Sequence, residues 1–189
     1  MSDFVRGFLA TIYSFLLVGC IAATHMTENP NYPIDPLDVR ITPTYIDPNL
    51  PQKPTLNAIR EWNHAMNGSY IFDVVPWDNN PKPPAVVIRA AHTDNADLRR
   101  GGKEAVGVTY PWDGNYPSSI IYLDIDNLGY YPYTQTVEHE LGHAFGADHK
   151  ENTLMGERLS NMSRRCIDQP TLHQVAKILH LDERFLNHC

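Results

Sequence analysis

Three stretches of the chain repeat their apolar residues every three or four positions, the spacing of one helical face. Residues 135–144 lead into the clearest of them, with Val137, Leu141, Ala144 and Phe145 at i, i+4, i+7 and i+8. Residues 55–66 place Leu56, Ile59, Trp62 or Asn63, and Met66 at helical spacing. Residues 169–181 put Leu172, Val175, Ala176 and Leu179 on one face, and Pro170 falls in the first turn, where its missing N–H is harmless. Between the first two helices the pattern changes. Residues 70–75, 85–91, 105–110 and 119–125 are short runs rich in Val, Ile or Tyr and bounded by Pro, Gly, Asn or Asp, as strands are. Residues 39–46 alternate through Val39, Ile41 and Tyr45 and make a fifth strand candidate at the front. The expected order is therefore strand, helix, four strands, helix and a C-terminal helix: an α/β (α+β) chain whose first helix implies a parallel crossover between strands 1 and 2.

At 189 residues the chain is long enough for one domain with a sizeable core. Its formal net charge of −7 argues against nucleic acid or an anionic membrane surface as partner, because neither attracts an acidic protein without a basic patch. The basic pairs Arg99-Arg100 and Arg164-Arg165 are short, and are read as solvated. Residues 7–23 form the one strongly apolar run, short for a membrane span and of the right length for the core of a signal peptide. Seven of the 15 prolines fall in residues 24–54, so the beginning of that stretch is expected to be a stiff, extended tether. The expected division is a signal peptide over 1–19, a tether over 20–38 and a folded domain over 39–189, placed outside the cytoplasm, with the break after 19 implied by the resemblance of Leu17-Val18-Gly19-Cys20 to a bacterial lipobox.

The chemistry is concentrated in one segment, where His139, Glu140, His143, Gly146 and His149 stand in the order His-Glu-x-x-His-x-x-Gly-x-x-His. Histidines four apart on a helix project from one face, so His139 and His143 can converge on a single cation. Glu140 lies about 100° further round the helix, which sets its carboxylate beside a metal rather than on it, in a position to take a proton from water. Gly146 permits the left-handed turn that commonly ends a helix and redirects the chain, so that His149 returns as a third ligand. Three protein ligands leave a fourth position open, the mark of a catalytic zinc site. The rival from another class is an inactive zinc-binding module, against which an intact Glu140 argues, since a structural site needs ligands but no base.

These residues resemble the metzincin zinc peptidases, and the run HELGHAFGADH over 139–149 is most similar to their matrixin branch. Leu154-Met155-Gly156 then resembles the Met-turn beneath the zinc. Five residues separate His149 from Met155, a shorter link than in matrixins, and Gly-Glu follows Met155 where matrixins commonly carry an aromatic residue and a proline. The resemblance implies zinc at His139, His143 and His149, with Glu140 as the general base of peptide hydrolysis. It also implies a twisted five-stranded mixed sheet with an antiparallel edge strand, by position 105–110, along which a protein or peptide substrate binds in extended form. Calcium at Asp94, Asp97, Asp124 or Asp126 is a further implication, although Asp is so common in turns that solvated turn residues are the more frequent reading. His92 has no second His nearby, so no second zinc is expected; His64, His173 and His180 read as surface or packing residues. Tyr130, Tyr131 and Tyr133 are candidates for stabilising an oxyanion, with nothing to select among them.

Leu17-Val18-Gly19-Cys20 resembles a bacterial lipobox, which implies cleavage before Cys20 and a lipid anchor to a membrane on its thiol. The alternatives are a plain secretory signal cut after Ala22 or Ala23, or an uncleaved anchor. With Cys20 lipidated, Cys166 and Cys189 remain as an even pair bracketing the last helix in an oxidising compartment. A monomer is expected.

Overall fold

A computed structural model of the chain describes residues 39–100, 105–111, 118–127, 132–157 and 166–188. The expected signal peptide, Cys20 and the tether over 20–38 lie outside these residues, as do Tyr130, Tyr131, Arg164, Arg165 and Cys189. The elements follow in the order β1 (Arg40–Ile46), α1 (Gln52–Ala65), β2 (Tyr70–Val75), β3 (Val86–Ala91), α2 (Ala96–Arg100), β4 (Gly107–Pro111), β5 (Ser119–Asp124), α3 (Tyr133–Ala144) and α4 (Gln169–Leu179), with a 3-10 turn over Glu183–Phe185.

The strands form one five-stranded mixed sheet in the order β2-β1-β3-β5-β4. β1 pairs in parallel with β2 and with β3, and β3 with β5, so α1 is the parallel crossover its position between strands implies. β4 runs antiparallel to β5 and forms an edge, as expected for 105–110. Pro43 sits in β1 before Thr44, where pairing with β3 begins, so its missing N–H falls outside the doubly paired stretch. The opposite edge, β2, is partly covered by a side chain. Asn63 of α1 donates from Nδ2 to the Phe72 carbonyl at 3.0 Å and accepts from the Phe72 N–H at 2.8 Å, in effect supplying one missing rung of the ladder.

α1 and α3 share the core with one face of the sheet. All four residues of the α3 stripe, Val137, Leu141, Ala144 and Phe145, are buried, as are Ile59, Trp62 and Met66 from α1 and the whole α4 stripe. Phe145 is the hub of an aromatic cluster, its ring centroid 5.0 Å from Trp62, 5.0 Å from Tyr70 and 4.9 Å from Phe72. Such offset and edge-on contacts add to the large apolar area that these rings remove from water. Trp62 also donates from Nε1 to the Glu138 carbonyl at 2.8 Å, a direct bond between α1 and α3 that fixes the depth at which the second helix sits.

Several boundaries differ from expectation: α1 begins at Gln52 rather than 55, β4 at Gly107 rather than 105, and α4 ends at Leu179 rather than 181. α3 begins at Tyr133 rather than 135, following Pro132, which occupies the cap position without a side-chain cap bond. α2 was not expected, because five residues are too few for periodicity to declare a helix; Asn95, which accepts from the Asp97 N–H at 2.8 Å, is its cap and its one local signal. Among the described residues no helix is long and apolar enough to cross a membrane. Cys166, just before α4, is disulfide-bonded, and the other two cysteines of the chain lie outside the described residues.

Candidate metal centre

α3 ends in a turn that builds half of the site. Phe145 is the last residue near helical geometry, and Gly146 follows with φ of 86°, the left-handed conformation that L side chains avoid. The Gly146 N–H then bonds the His143 carbonyl at 2.8 Å and the Ala147 N–H bonds the Gly142 carbonyl at 3.0 Å, which together form a Schellman motif. The chain leaves the helix in the direction that brings His149 back to His139 and His143.

The three imidazoles converge through Nε2. Those of His139 and His143 are 3.0 Å apart, and those of His143 and His149 are 3.1 Å apart. Between His139 and His143 the approach is not a hydrogen bond between neutral rings, for a reason supplied by the opposite nitrogens. His139 Nδ1 lies 2.8 Å from the Leu154 carbonyl and His143 Nδ1 lies 2.7 Å from the Ala147 carbonyl. A carbonyl oxygen only accepts, so each Nδ1 carries the proton and each Nε2 presents a bare lone pair. Two buried lone pairs facing each other at 3.0 Å repel, and a cation between them turns that repulsion into bonding.

Burial keeps the rings neutral. It pushes the His139 imidazole down to about 4, with the Leu154 carbonyl opposing and His149 reinforcing the shift. His143 is pushed well below its ordinary value by burial, with its two neighbours adding to the effect. The half-buried His149 is also lowered by burial, against the opposing pull of Glu157 and Asp148. All three are thus free bases at neutral pH, ready to coordinate. For zinc–nitrogen bonds of about 2.0–2.1 Å, tetrahedral ligands sit roughly 3.3–3.4 Å apart, close to the separations seen here. The donor set therefore fits a borderline-soft cation such as zinc. Among the described residues these three form the group of His, Cys, Asp or Glu side chains whose ligand atoms converge for a metal.

Glu140 is turned toward the edge strand. Thr109 Oγ1 on β4 lies 2.6 Å from Glu140 Oε2 and 3.0 Å from the Glu140 carbonyl. A Cβ on Gly107 would stand 2.6 Å from Glu140 Oε1, so this carboxylate occupies space that any other residue at 107 would fill. Met155 packs under the helix. A Cβ on Gly142 would be 2.4 Å from Met155 Sδ, so the helix and the Met155 side chain approach as closely as they do because residue 142 has no side chain.

The remaining candidates lie elsewhere. Tyr133 hydrogen-bonds Thr55 of α1 at 2.7 Å, and burial pushes its hydroxyl up to about 12. Asp124 and Asp126 gather round Thr93 and take hydrogen bonds from it, from Asn127 and from His92; Asp97 is 3.6 Å from Arg100 and Asp94 is exposed. His173 pairs with Glu183 at the surface and His180 caps α4 in the left-handed conformation. Gly107 and Thr109 were expected only as part of the substrate-binding edge strand; their approach to Glu140 carries no local signal. Motif reading missed Asp168, whose capping role is signalled by its place just before Gln169-Pro170. Searches with the sequence found no protein-family model and no curated protein that matches it.

Proposed function

We propose that this protein is a zinc-dependent endopeptidase of the metzincin type. The observation that carries the reading is the convergence of three Nε2 atoms, two of them on α3 with main-chain acceptors at Nδ1 and the third brought back by the turn after it, beside the buried glutamate that follows His139. His139, His143 and His149 would hold the ion; when bound, zinc acts as a Lewis acid that polarises a peptide carbonyl and makes a water acidic enough to react. Glu140 takes the proton that this water loses as its oxygen attacks the carbonyl carbon. It would give that proton to the nitrogen as the C–N bond breaks, leaving a carboxylic acid and an amine, which exchange the water's remaining proton to become carboxylate and ammonium.

The edge strand supports a polypeptide substrate. The Asp124 N–H bonds the Val106 carbonyl, so alternation along the antiparallel pair turns residues 106, 108 and 110 toward β5. Thr109 accordingly directs its main-chain N–H and C=O to the outer side of the sheet, where an extended peptide can add as a further strand. The same residue touches Glu140 through its hydroxyl, which links the strand that aligns the substrate to the group that moves the proton.

The location proposed for this peptidase is outside the cytoplasm, tethered to a membrane through a lipid on Cys20. The apolar run over 7–23 and the disulfide at Cys166 support it, since disulfides persist in oxidising compartments. Intact mass of the mature protein tests the anchor: an N-terminus at Ala23 or Thr24 without lipid mass refutes it. Digestion of a broad peptide library, with and without a chelator, tests the activity. Chelator-sensitive cleavage is expected; a protein that holds zinc stoichiometrically yet cleaves nothing is instead a metal-dependent binding module.

A further inference from the structure

We infer that Asp168 is a positioning residue for the metal centre, acting on His139 through the main chain of Leu154. The inference rests on the metal-binding reading above and deepens it, because it names a carboxylate distant in sequence on which one ligand's orientation depends.

His139 offers Nε2 to a cation only while its Nδ1–H has an acceptor, and that acceptor is the carbonyl of Leu154, a residue outside any helix or strand. The loop around Leu154 is closed on itself by several bonds: the Lys150 N–H to the Met155 carbonyl at 2.8 Å, Thr153 Oγ1 to the Lys150 carbonyl at 2.7 Å, and the Met155 N–H to Thr153 Oγ1 at 3.0 Å. These bonds set the shape of the loop but do not fasten it to the helices. The Leu154 N–H does so, donating to Asp168 Oδ2 at 2.6 Å, a short, charge-assisted bond. Leu154 is thus held from both sides, its N–H by Asp168 and its C=O by His139.

The other oxygen of Asp168 has a separate task. Oδ1 accepts from the Thr171 N–H at 3.0 Å and from Thr171 Oγ1 at 2.9 Å, capping α4. α4 is itself anchored, with Leu172, Val175, Ala176 and Leu179 all buried. For the cap alone, Ser or Asn would serve about as well as Asp. Only a side chain with two accepting oxygens performs both tasks. Asn, in either orientation of its amide, sets an NH2 group against one of the two N–H donors. Ser caps the helix but is too short to reach Leu154 as well.

This difference gives the test, made on the full chain with zinc and cobalt(II) as probes. In Asp168→Ser the helix content in far-UV circular dichroism should match wild type, while the dissociation constant for zinc rises about 10- to 100-fold, the usual effect of losing a bond that orients a ligand. The ligand-field absorption bands of bound cobalt(II) should shift, because the His139 ring is no longer held in one orientation. In Asp168→Asn the amide oxygen that stays on the Thr171 cap leaves an NH2 group against the Leu154 N–H, so binding should weaken with the helix content kept, as in Asp168→Ser. Wild-type affinity and an unchanged cobalt(II) spectrum in a folded Asp168→Ser protein would overturn the inference. So would loss of helical signal in both variants, which would make Asp168 a cap and nothing more. A wild-type protein that takes up neither ion refutes the metal centre itself, a failure visible without any variant.

Discussion

His143 and Ala147 are joined by a 2.7 Å bond from the imidazole Nδ1–H to the main-chain carbonyl, and the N–H of the same Ala147 closes the end of α3 on Gly142. Helix termination and ligand orientation are therefore one local structure. Gly146 makes it possible, because its φ of 86° is the bend that turns Ala147 back on the helix.

Gly146→Ala should consequently harm both stability and metal binding. Forcing an L side chain into the left-handed region costs about 1–2 kcal/mol, and any relaxation that relieves it moves the Ala147 carbonyl and the approach of His149. Thermal unfolding of metal-free protein should show the loss of stability, and zinc competition against a chelating dye should show weaker binding. Unchanged zinc affinity would mean that the turn does not orient the ligands.

Binding and chemistry should separate at Glu140. Glu140→Ala leaves three imidazoles and removes the proton acceptor, so zinc stoichiometry is expected to stay at the wild-type level while turnover falls about 10²- to 10⁴-fold. His143→Ala removes the central ligand, and metal content and activity should fall together, with stability following the lost ion. Peptidase rate and zinc content measured on the two variants side by side decide it. Near wild-type turnover in Glu140→Ala would place the base elsewhere.

Much of this arrangement was legible because it is local. The stripes of α1, α3 and α4 follow from a 3.6-residue period, and all five strands fall within two residues of the apolar runs that announce them. The three histidines and Glu140 occupy one eleven-residue run, so helix geometry alone brings two of the ligands together. What escaped depends on contacts that skip far along the chain or use main-chain atoms. Thr109 meets Glu140 across 31 positions, and the acceptor for His139 is a carbonyl that any residue at 154 would supply. Asp168 combines both difficulties: its partner in the loop is an N–H, and that partner is 14 positions away.

The contact of Glu140 with the edge strand leads to a second pair of variants. A methyl group at 107 would stand 2.6 Å from Glu140 Oε1, closer than atoms tolerate, and the carboxylate is the part able to yield. Gly107→Ala should therefore displace the base without touching a ligand. Zinc content is expected to hold while kcat drops, by as much as about 10²-fold if the carboxylate shifts by 1 Å. Thr109→Val removes the hydroxyl partner instead and should lower kcat with zinc retained, since the carboxylate then loses the bond that orients it. Wild-type kcat in both variants would show that Glu140 is not positioned from β4.

Gly142 and Met155 allow opposing effects to be weighed. Alanine is the better helix former by about 1 kcal/mol, so on propensity alone Gly142→Ala would stabilise α3. The new methyl, however, would sit 2.4 Å from Met155 Sδ, 3.1 Å from Met155 Cε and 3.5 Å from Trp62 Cζ2. Met155 is fully buried, so its thioether cannot withdraw into solvent. Overpacking of this kind costs about 1–3 kcal/mol, which outweighs the gain in propensity. Gly142→Ala is thus expected to lower the unfolding temperature of the metal-free protein. Because Leu154 precedes Met155 and carries the acceptor for His139, the displaced methionine should also weaken zinc binding. Met155→Ala is itself destabilising, since it empties a fully buried position, but on that background Gly142→Ala should cost less than in the wild-type chain, because the colliding atoms are gone. Equal effects of Gly142→Ala in the presence and absence of Met155→Ala would show that the two residues are not in contact.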